Sequence, residues 1–181
     1  MADTGFKNAT ATGEDYNQFA NPTYAYADDT NYALETTDGE QQDYYNFTFG
    51  IPSGATINGV EVTLKGYADG VVILNGDRAG IKVDLSDNGG TAYGTKINKN
   101  FAISAGEITN TYGGATSADA YWGLTLTDTD FSNTNLRVRV EMDILTGGAD
   151  VWYLNHIQVK VYYTEASGAT IRLLASTGVG T

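Results

Sequence analysis

Strict alternation of apolar and charged side chains over residues 136–144 constrains the fold of this chain more than any other feature of its sequence. Every even position is apolar and every odd position is Arg, Glu or Asp. Successive side chains of a β-strand point to opposite faces, so this pattern predicts a strand with one face buried and the other in solvent. Residues 157–163 repeat the pattern after a Gly-rich turn at 147–150, which predicts an antiparallel pair.

Shorter alternating runs predict further strands at 45–49, 60–64, 81–85 and 122–126. Residues 71–74 are continuously apolar and precede Asn75-Gly76, which predicts a strand buried on both faces that ends in a hairpin. We expect helical structure only as a single turn, at 117–120 or 127–131. The sequence therefore predicts an all-β fold, a single antiparallel, jelly-roll-like β-sandwich over residues 32–164.

The two ends of the chain do not continue this pattern. Residues 1–31 are rich in Asn, Thr, Ala and Tyr, which predicts an N-terminal arm or a wrapped segment. Residues 165–181 contain an apolar stretch that would be costly to expose, so we expect a C-terminal tail that pairs with another chain or with a sheet edge. The residues expected to contact partners are Phe6, Tyr16, Phe19, Tyr24, Tyr26, Ile171, Leu173 and Leu174.

Charge and composition argue against several classes of function. The chain has 10 Lys and Arg against 22 Asp and Glu, a formal net charge of −12. Because phosphate binding needs clustered basic side chains, we expect no nucleic-acid partner. The absence of cysteine removes disulfides and thiolate metal sites. No apolar run approaches the roughly 20 residues of a membrane span and no signal-peptide pattern is present, so we expect no membrane partner and assembly in a cytoplasm.

Residue patterns that would indicate catalysis are also missing. His156 is the only histidine, and we expect it to have a structural or surface role. There is no Gly-x-Ser-x-Gly motif and no cysteine nucleophile, so we expect no enzymatic activity and no cofactor. Asp84, Asp87 and Asn88 faintly resemble a calcium loop but lack its distal Glu, so a bound Ca²⁺ ion is left open and is not predicted.

Several phrases of the sequence resemble a known group of proteins. They are NPTYAYADDTNYA at 21–33, FGIPSGATINGVEV at 49–62, WGL at 122–124 and VKVYYT at 159–164. In their order and spacing they resemble small β-sandwich virion structural proteins of tailed bacteriophages, of the capsid decoration or auxiliary type. The resemblance runs from about residue 15 to residue 164. It implies a sandwich fold and a structural role in the virion.

Two hypotheses for function follow. Under the first, which the resemblance implies, the chain is a non-enzymatic capsid decoration protein in a virion assembled in the host cytoplasm. It would bind the major capsid protein, associate with itself and stabilise the head. Under the second, it is a carbohydrate- or receptor-binding module on a tail or other surface, because Trp122, Trp152 and 13 tyrosines could supply a platform for sugar stacking. The second hypothesis predicts a row of exposed aromatic side chains on one sheet face.

Overall fold

Two antiparallel sheets make up the protein in a computed structural model that describes residues 1–70, 79–101, 106–116, 118–144 and 149–166. The predicted all-β sandwich is confirmed. Within the described ranges, the helical elements are two short 3₁₀ turns, Pro22–Tyr26 and Asp128–Phe131. The second of them confirms one of the two single turns expected from the sequence. Neither is long or apolar enough to cross a bilayer.

The first sheet has six strands: β1 (Ala2–Asp3), β2 (Lys7–Asn8), β4 (Ala33–Glu35), β6 (Thr56–Gly70), β9 (Ile108–Gly113) and β11 (Ala149–Thr164). The two long strands, β6 and β11, pair along most of their length and form its centre. β9 pairs with the free edge of β6, whereas β1, β2 and β4 pair with the opposite edge of β11.

The strands of the second sheet are β3 (Ala11–Asn17), β5 (Gln41–Tyr45), β7 (Ala79–Ser86), β8 (Ile97–Phe101) and β10 (Arg137–Ile144). Their order in the sheet is β3-β5-β10-β7-β8, and all of the pairs are antiparallel. The central strand, β10, contains most of the strict alternation from which the fold was predicted.

The core lies between the sheets and is built from the apolar positions of the alternating strands. Val138 and Val140 of β10 and Val62 and Leu64 of β6 belong to this core from its two sides, and all four are fully buried. Burying a Val or Leu side chain contributes about 1.5–3 kcal/mol. The indole of Trp122 closes one part of the core, and its Nε1 donates a hydrogen bond to a backbone carbonyl oxygen of β6 at 3.0 Å.

The N-terminal segment is part of the sandwich, which corrects the prediction of a sandwich confined to 32–164. β1 and β2 extend the first sheet, β3 forms an edge of the second, and the backbone of Ala20 bridges to Leu34. The alternation of residues 1–31 is weak because each of these strands is short and lies at a sheet edge.

Two predicted strands are loops in the structure. Residues 46–50 follow β5 with positive φ at Asn46, Thr48 and Gly50, which breaks the extended backbone although Phe47 and Phe49 stay buried. Residues 122–126 begin within a turn, and Trp122 in that turn has a φ of 55°. Alternating burial therefore arises here without strand geometry. The predicted strand at 71–74, its hairpin at 75–76 and Ser117 lie outside the described residues.

Candidate binding surface

Three tyrosines form a compact group on the outer face of the first sheet, which we call the tyrosine patch (Tyr32, Tyr67 and Tyr153). Tyr67 on β6 and Tyr153 on β11 are directly opposite each other in the strand register. Their rings stack with centroids 4.4 Å apart and planes 5° from parallel. Tyr32 stands edge-on to both rings, at 5.5 and 5.6 Å. All three side chains are half-buried, so the patch is in contact with solvent.

A cavity of about 410 Å³ opens beside the tyrosine patch. It continues the same outer face, because Leu34 of β4 pairs with Tyr153 on the side of β11 opposite β6. A volume of this size is within the range of small-molecule sites, about 300–1,000 Å³. Its walls combine apolar and polar side chains, from Gln18, Ala20, Leu34, Glu35, Thr36, Val151 and Tyr153.

A glycine permits the close strand pairing beneath the patch. Gly66 of β6 pairs with Leu154, and a Cβ atom at this position would lie 2.1 Å from the carbonyl oxygen of Tyr153. No side chain can be accommodated at that distance without moving the strand. Gly66 therefore lets β6 and β11 approach closely enough for the neighbouring Tyr67 and Tyr153 rings to stack.

A β-bulge next to the patch positions the loop that carries Tyr32. The β6–β11 register shifts between Leu154 and His156, which leaves Asn155 as the extra residue. The fully buried Asn155 side chain donates to the Asp29 carbonyl oxygen at 2.8 Å and accepts from the Asp29 backbone N–H at 3.1 Å. It also donates to the Glu107 carboxylate. One bulge residue thus joins β11, the loop at 28–31 and Glu107.

Charged side chains at the border of the patch form ion pairs. The Lys65 ammonium lies 2.6 Å from Asp28 Oδ1 and 3.0 Å from Glu107 Oε2. The hydrogen bond from Lys65 lowers the pKa of Asp28. Burial alone would raise the pKa of Glu107, but hydrogen bonds from Asn155 and Lys65 lower it. Both carboxylates are therefore ionised at neutral pH, and their charges are partly balanced by Lys65.

The hydroxyls of Tyr32 and Tyr67 stay protonated over the whole physiological range. Burial raises the pKa of Tyr32, and the adjacent Glu107 carboxylate raises it further by charge and by hydrogen bonding. Burial also raises the pKa of Tyr67, with smaller contributions from Tyr153 and from nearby carboxylates. Each phenol can consequently act as both donor and acceptor of hydrogen bonds. The patch offers apolar rings and neutral polar atoms together.

The outer face of the second sheet is covered by other parts of the chain. Arg139 of β10 is directly opposite Asp43 on β5 and Asp84 on β7. The Arg139 Cζ atom lies 3.7 Å from the ring centroid of Tyr16 and 3.3 Å from that of Tyr93. The Arg139 Nε donates a hydrogen bond to Asp43 Oδ1 at 3.1 Å. This face was predicted to be in solvent, but the loop that carries Tyr93 and the edge strand β3 cover it.

Burial dominates the electrostatics of this second face. It raises the pKa of Asp84 to about 6, because the loss of hydration outweighs the attraction to Arg139 and Lys96. Burial also raises the pKa of Asp43, although Tyr93 and Arg139 both donate hydrogen bonds to its carboxylate. Asp84 Oδ1 and Arg139 Nη2 have no hydrogen-bond partner within the described parts of the chain.

The residues predicted to contact partners do not form one surface. Phe6 and Tyr24 are 40% and 45% exposed, and Tyr16 is exposed at the edge of the second sheet. Phe19 is 4% exposed and packs edge-on against Trp152 at 5.7 Å, so it belongs to the core. Tyr26 packs against Tyr44 and is half-buried. Ile171, Leu173 and Leu174 lie outside the described residues.

Sequence reasoning did not single out the tyrosine patch. The alternation of β6 places Tyr67 on the face opposite Leu64 and Ala68, and Tyr153 follows the buried Trp152. These patterns assign each tyrosine to an outer face. Their meeting depends on the pairing of β6 with β11, which periodicity within a single strand does not specify.

His156 is buried on β11, next to the bulge residue Asn155. No group of three or more candidate metal ligands occurs in the described ranges.

Comparison with known proteins gives matches only among solved structures. No protein-family model and no curated protein matches the chain. The carbohydrate-binding module TmCBM61 in complex with beta-1,4-galactotriose aligns at 10% identity and a TM-score of 0.41, over 89% of this chain and 90% of that one. A CBM36-1 domain of a multidomain xylanase, from the hindgut metagenome of Trinervitermes trinervoides, aligns at 11% identity and a TM-score of 0.40. The alignment covers 91% of this chain and 100% of that domain. TM-scores of this size transfer no ligand to this chain.

Proposed function

We propose that the protein is a glycan-binding module whose site is the tyrosine patch and the cavity beside it. The observation that carries the proposal is the row formed by Leu34, Tyr153 and Tyr67 across three paired strands, with an open cavity at one end. A pyranose ring has faces of C–H groups and a rim of hydroxyls. Aromatic rings pack against the first, and neutral hydrogen-bonding groups satisfy the second.

The charge of the molecule favours a neutral glycan. The chain carries a formal net charge of −12, and the patch is bordered by Asp28, Asp69 and Glu107. Of the nearby cations, Lys65 is already paired with two carboxylates. A uronate or sulfated chain would meet like charge at close range, which lowers both its affinity and its rate of association.

The shape of the site favours a sugar over a protein surface. Protein interfaces are broad and bury roughly 800 Å² on each partner. Here a concave cavity of about 410 Å³ adjoins three tyrosine rings that pack against one another on the outer face of a sheet. Rigid aromatic groups lose little conformational entropy on binding, which suits a ligand that offers few contacts per unit.

Affinity electrophoresis followed by calorimetry tests the proposal. The wild-type protein is screened against neutral polysaccharides, namely β-1,4-galactan, xylan, mixed-linkage β-glucan and an α-glucan, together with a polyuronate. We expect at least one neutral polysaccharide to bind and the polyuronate not to bind. The substitution Tyr153→Ala removes the ring shared by the patch and the cavity, so we expect it to weaken binding at least about tenfold, which corresponds to roughly 1.4 kcal/mol.

Tyr121→Ala is the matched control. Tyr121 is 46% exposed and lies away from the patch, where its hydroxyl donates to the Ile57 carbonyl oxygen at 3.3 Å. We expect this variant to bind like the wild type. Absence of binding to every neutral polysaccharide, or equal losses in the two variants, would contradict the proposal.

A location in a phage virion stays a prediction based on the resemblance of the sequence phrases. The same holds for contacts with a major capsid protein, for self-association through the tail and for the absence of enzymatic activity. A glycan-binding module can be displayed on a virion surface, so the proposed site is compatible with that location. The proposal concerns the ligand of the tyrosine patch and is independent of where the protein is assembled.

A further inference from the structure

A second aromatic group lies on the same outer face, near the other end of β11. We call it the Phe6–Tyr162 patch (Phe6 and Tyr162). The Lys160 ammonium lies over both rings, 4.2 Å from the centroid of Phe6 and 5.0 Å from that of Tyr162. The Tyr162 hydroxyl donates to Glu61 Oε2 at 2.5 Å. Phe6 keeps 40% of its surface exposed, so this patch also faces solvent.

The strand register places the two patches on one continuous face. Tyr153 pairs with Tyr67, and Lys160 pairs with Glu61 further along the same two strands. The bulge at Asn155 changes the alternation, so that outward positions are odd before it and even after it. Without the extra residue, Tyr153 and Tyr162 would point to opposite faces. At about 3.3 Å per residue, the patches are roughly 25–30 Å apart.

Between the patches, neutral polar side chains lie next to the ion pairs formed by Lys65 and by Lys160. Thr63 and Gln158 are paired across β6 and β11 and are half-buried on the outer face. Gln158 Nε2 donates to Asn8 Oδ1 at 3.0 Å, and a His156 ring nitrogen lies 3.2 Å from the same oxygen. Amide and hydroxyl groups of this kind can donate to or accept from sugar hydroxyls.

From this arrangement we infer that the ligand is an extended neutral polysaccharide chain that lies along β6 and β11 and contacts both patches. The inference rests on the proposed function and adds the length and direction of the ligand. A single sugar unit cannot reach across the distance between the patches, whereas a linear chain of several units can. Contacts along one chain also act together, since units held at one patch raise the effective concentration of the rest at the other.

Calorimetric titration with a length series tests the inference. The probe is the polysaccharide that binds best in the neutral panel, together with its own oligosaccharides from disaccharide to octasaccharide. We expect the affinity to rise with chain length until the ligand reaches the Phe6–Tyr162 patch and then to level off. Phe6→Ala should weaken binding of the octasaccharide about tenfold and leave disaccharide binding unchanged.

The comparison among variants separates the two proposals. Tyr153→Ala is expected to weaken binding at every length, whereas Phe6→Ala is expected to weaken only the binding of the longer oligosaccharides. If the wild type binds, but the affinity levels off at the shortest oligosaccharides and Phe6→Ala has no effect on the octasaccharide, the extended site is wrong and the tyrosine-patch site stands. If no neutral glycan binds the wild type, both proposals are wrong. Circular dichroism of Phe6→Ala checks that the variant retains the sandwich.

Discussion

Arg139 illustrates how a residue predicted to be in solvent becomes buried. Its place in the alternation of β10 is correct, because Val138 and Val140 point into the core on the opposite face. What the pattern does not reveal is the cover supplied by Tyr16 and Tyr93, which come from distant parts of the chain. Alternation assigns a side chain to a face, and the exposure of that face depends on tertiary structure.

Burial of Asp84 predicts a pH-dependent effect on stability. The residue is 2% exposed, and burial raises its pKa to about 6, above the value of an unfolded aspartate. The charged form is therefore disfavoured in the folded state. Its cost is absent below about pH 4, grows as the pH rises through 6 and is complete above that. Asp84→Asn should raise the free energy of unfolding by about 2–3 kcal/mol at pH 7 and change it little at pH 4.

Urea unfolding of the wild type and of Asp84→Asn at pH 4 and pH 7 measures this difference. Asp87→Asn, in the loop that follows β7, is measured beside it as the control for the loss of one carboxylate from this part of the chain. A destabilised Asp84→Asn variant at pH 7 would show that the attraction between Asp84 and Arg139 outweighs the loss of hydration.

At the scale of elements, the strands predicted from long alternating runs are present, and the ones predicted from short runs are not all present. β6, β7, β10 and β11 were each visible as a period of two. The predicted strand at 122–126 fails because Trp122 adopts a positive φ within a turn, a conformation that its sequence context does not signal. The bulge in β11 was equally invisible, since no glycine or proline marks it.

That bulge is the element on which the tyrosine patch depends. Asn155→Ala removes the hydrogen bonds to Asp29 and to Glu107, so we expect the free energy of unfolding to fall by about 1–2 kcal/mol. We also expect weaker glycan binding, because the loop that carries Tyr32 is no longer held against β11. Chemical denaturation and calorimetry measure the two effects.

Asn58→Ala is the matched control for that substitution. The Asn58 side chain donates a single, solvent-exposed hydrogen bond to Thr164 Oγ1 at 2.9 Å, far from the patch in the strand register. It should change neither stability nor the binding of the disaccharide to the tyrosine patch appreciably. Unaltered glycan affinity in a folded Asn155→Ala protein would mean that Tyr32 is positioned by other contacts.

For the whole molecule, the N-terminal segment is a structural part of both sheets. β1 and β2 cover an edge of β11, β3 covers an edge of β5, and Ala9 between them is fully buried. Deleting residues 1–17 should therefore reduce the free energy of unfolding by about 3 kcal/mol or more. A chain ending at residue 166 should fold like the full chain, because the described strands end at Thr164.

Thermal unfolding of the two shortened chains checks this contrast. Light scattering on the same samples tests the separate prediction that the tail at residues 165–181, most of which the chain ending at residue 166 lacks, mediates self-association. A stable sandwich without residues 1–17 would restore the arm hypothesis. An unfolded chain 1–166 would show that the tail contributes to the sandwich itself.

The sequence predicts those features of the site that depend on local alternation, and it does not predict those that depend on the pairing of distant strands. The number of tyrosines suggested an aromatic platform, and the alternation placed Tyr67 on an outer face. The stack of Tyr67 on Tyr153 needs the register of two strands more than 80 residues apart, and the cavity needs the pairing of Leu34 with Tyr153. Both are long-range properties, so neither is written in a local pattern.

The most direct test of the central claim is a map of amide chemical shifts in the ¹⁵N-labelled protein during titration with the octasaccharide of the polysaccharide that binds best. We predict that the largest changes occur at residues 32–36, 65–67 and 151–155, with smaller ones continuing toward residue 162 and none on the second sheet at residues 82–84 and 139–141. Changes centred on Asp43, Asp84 and Arg139 instead, or no changes on the outer face of β6 and β11, would contradict the tyrosine patch as the binding site.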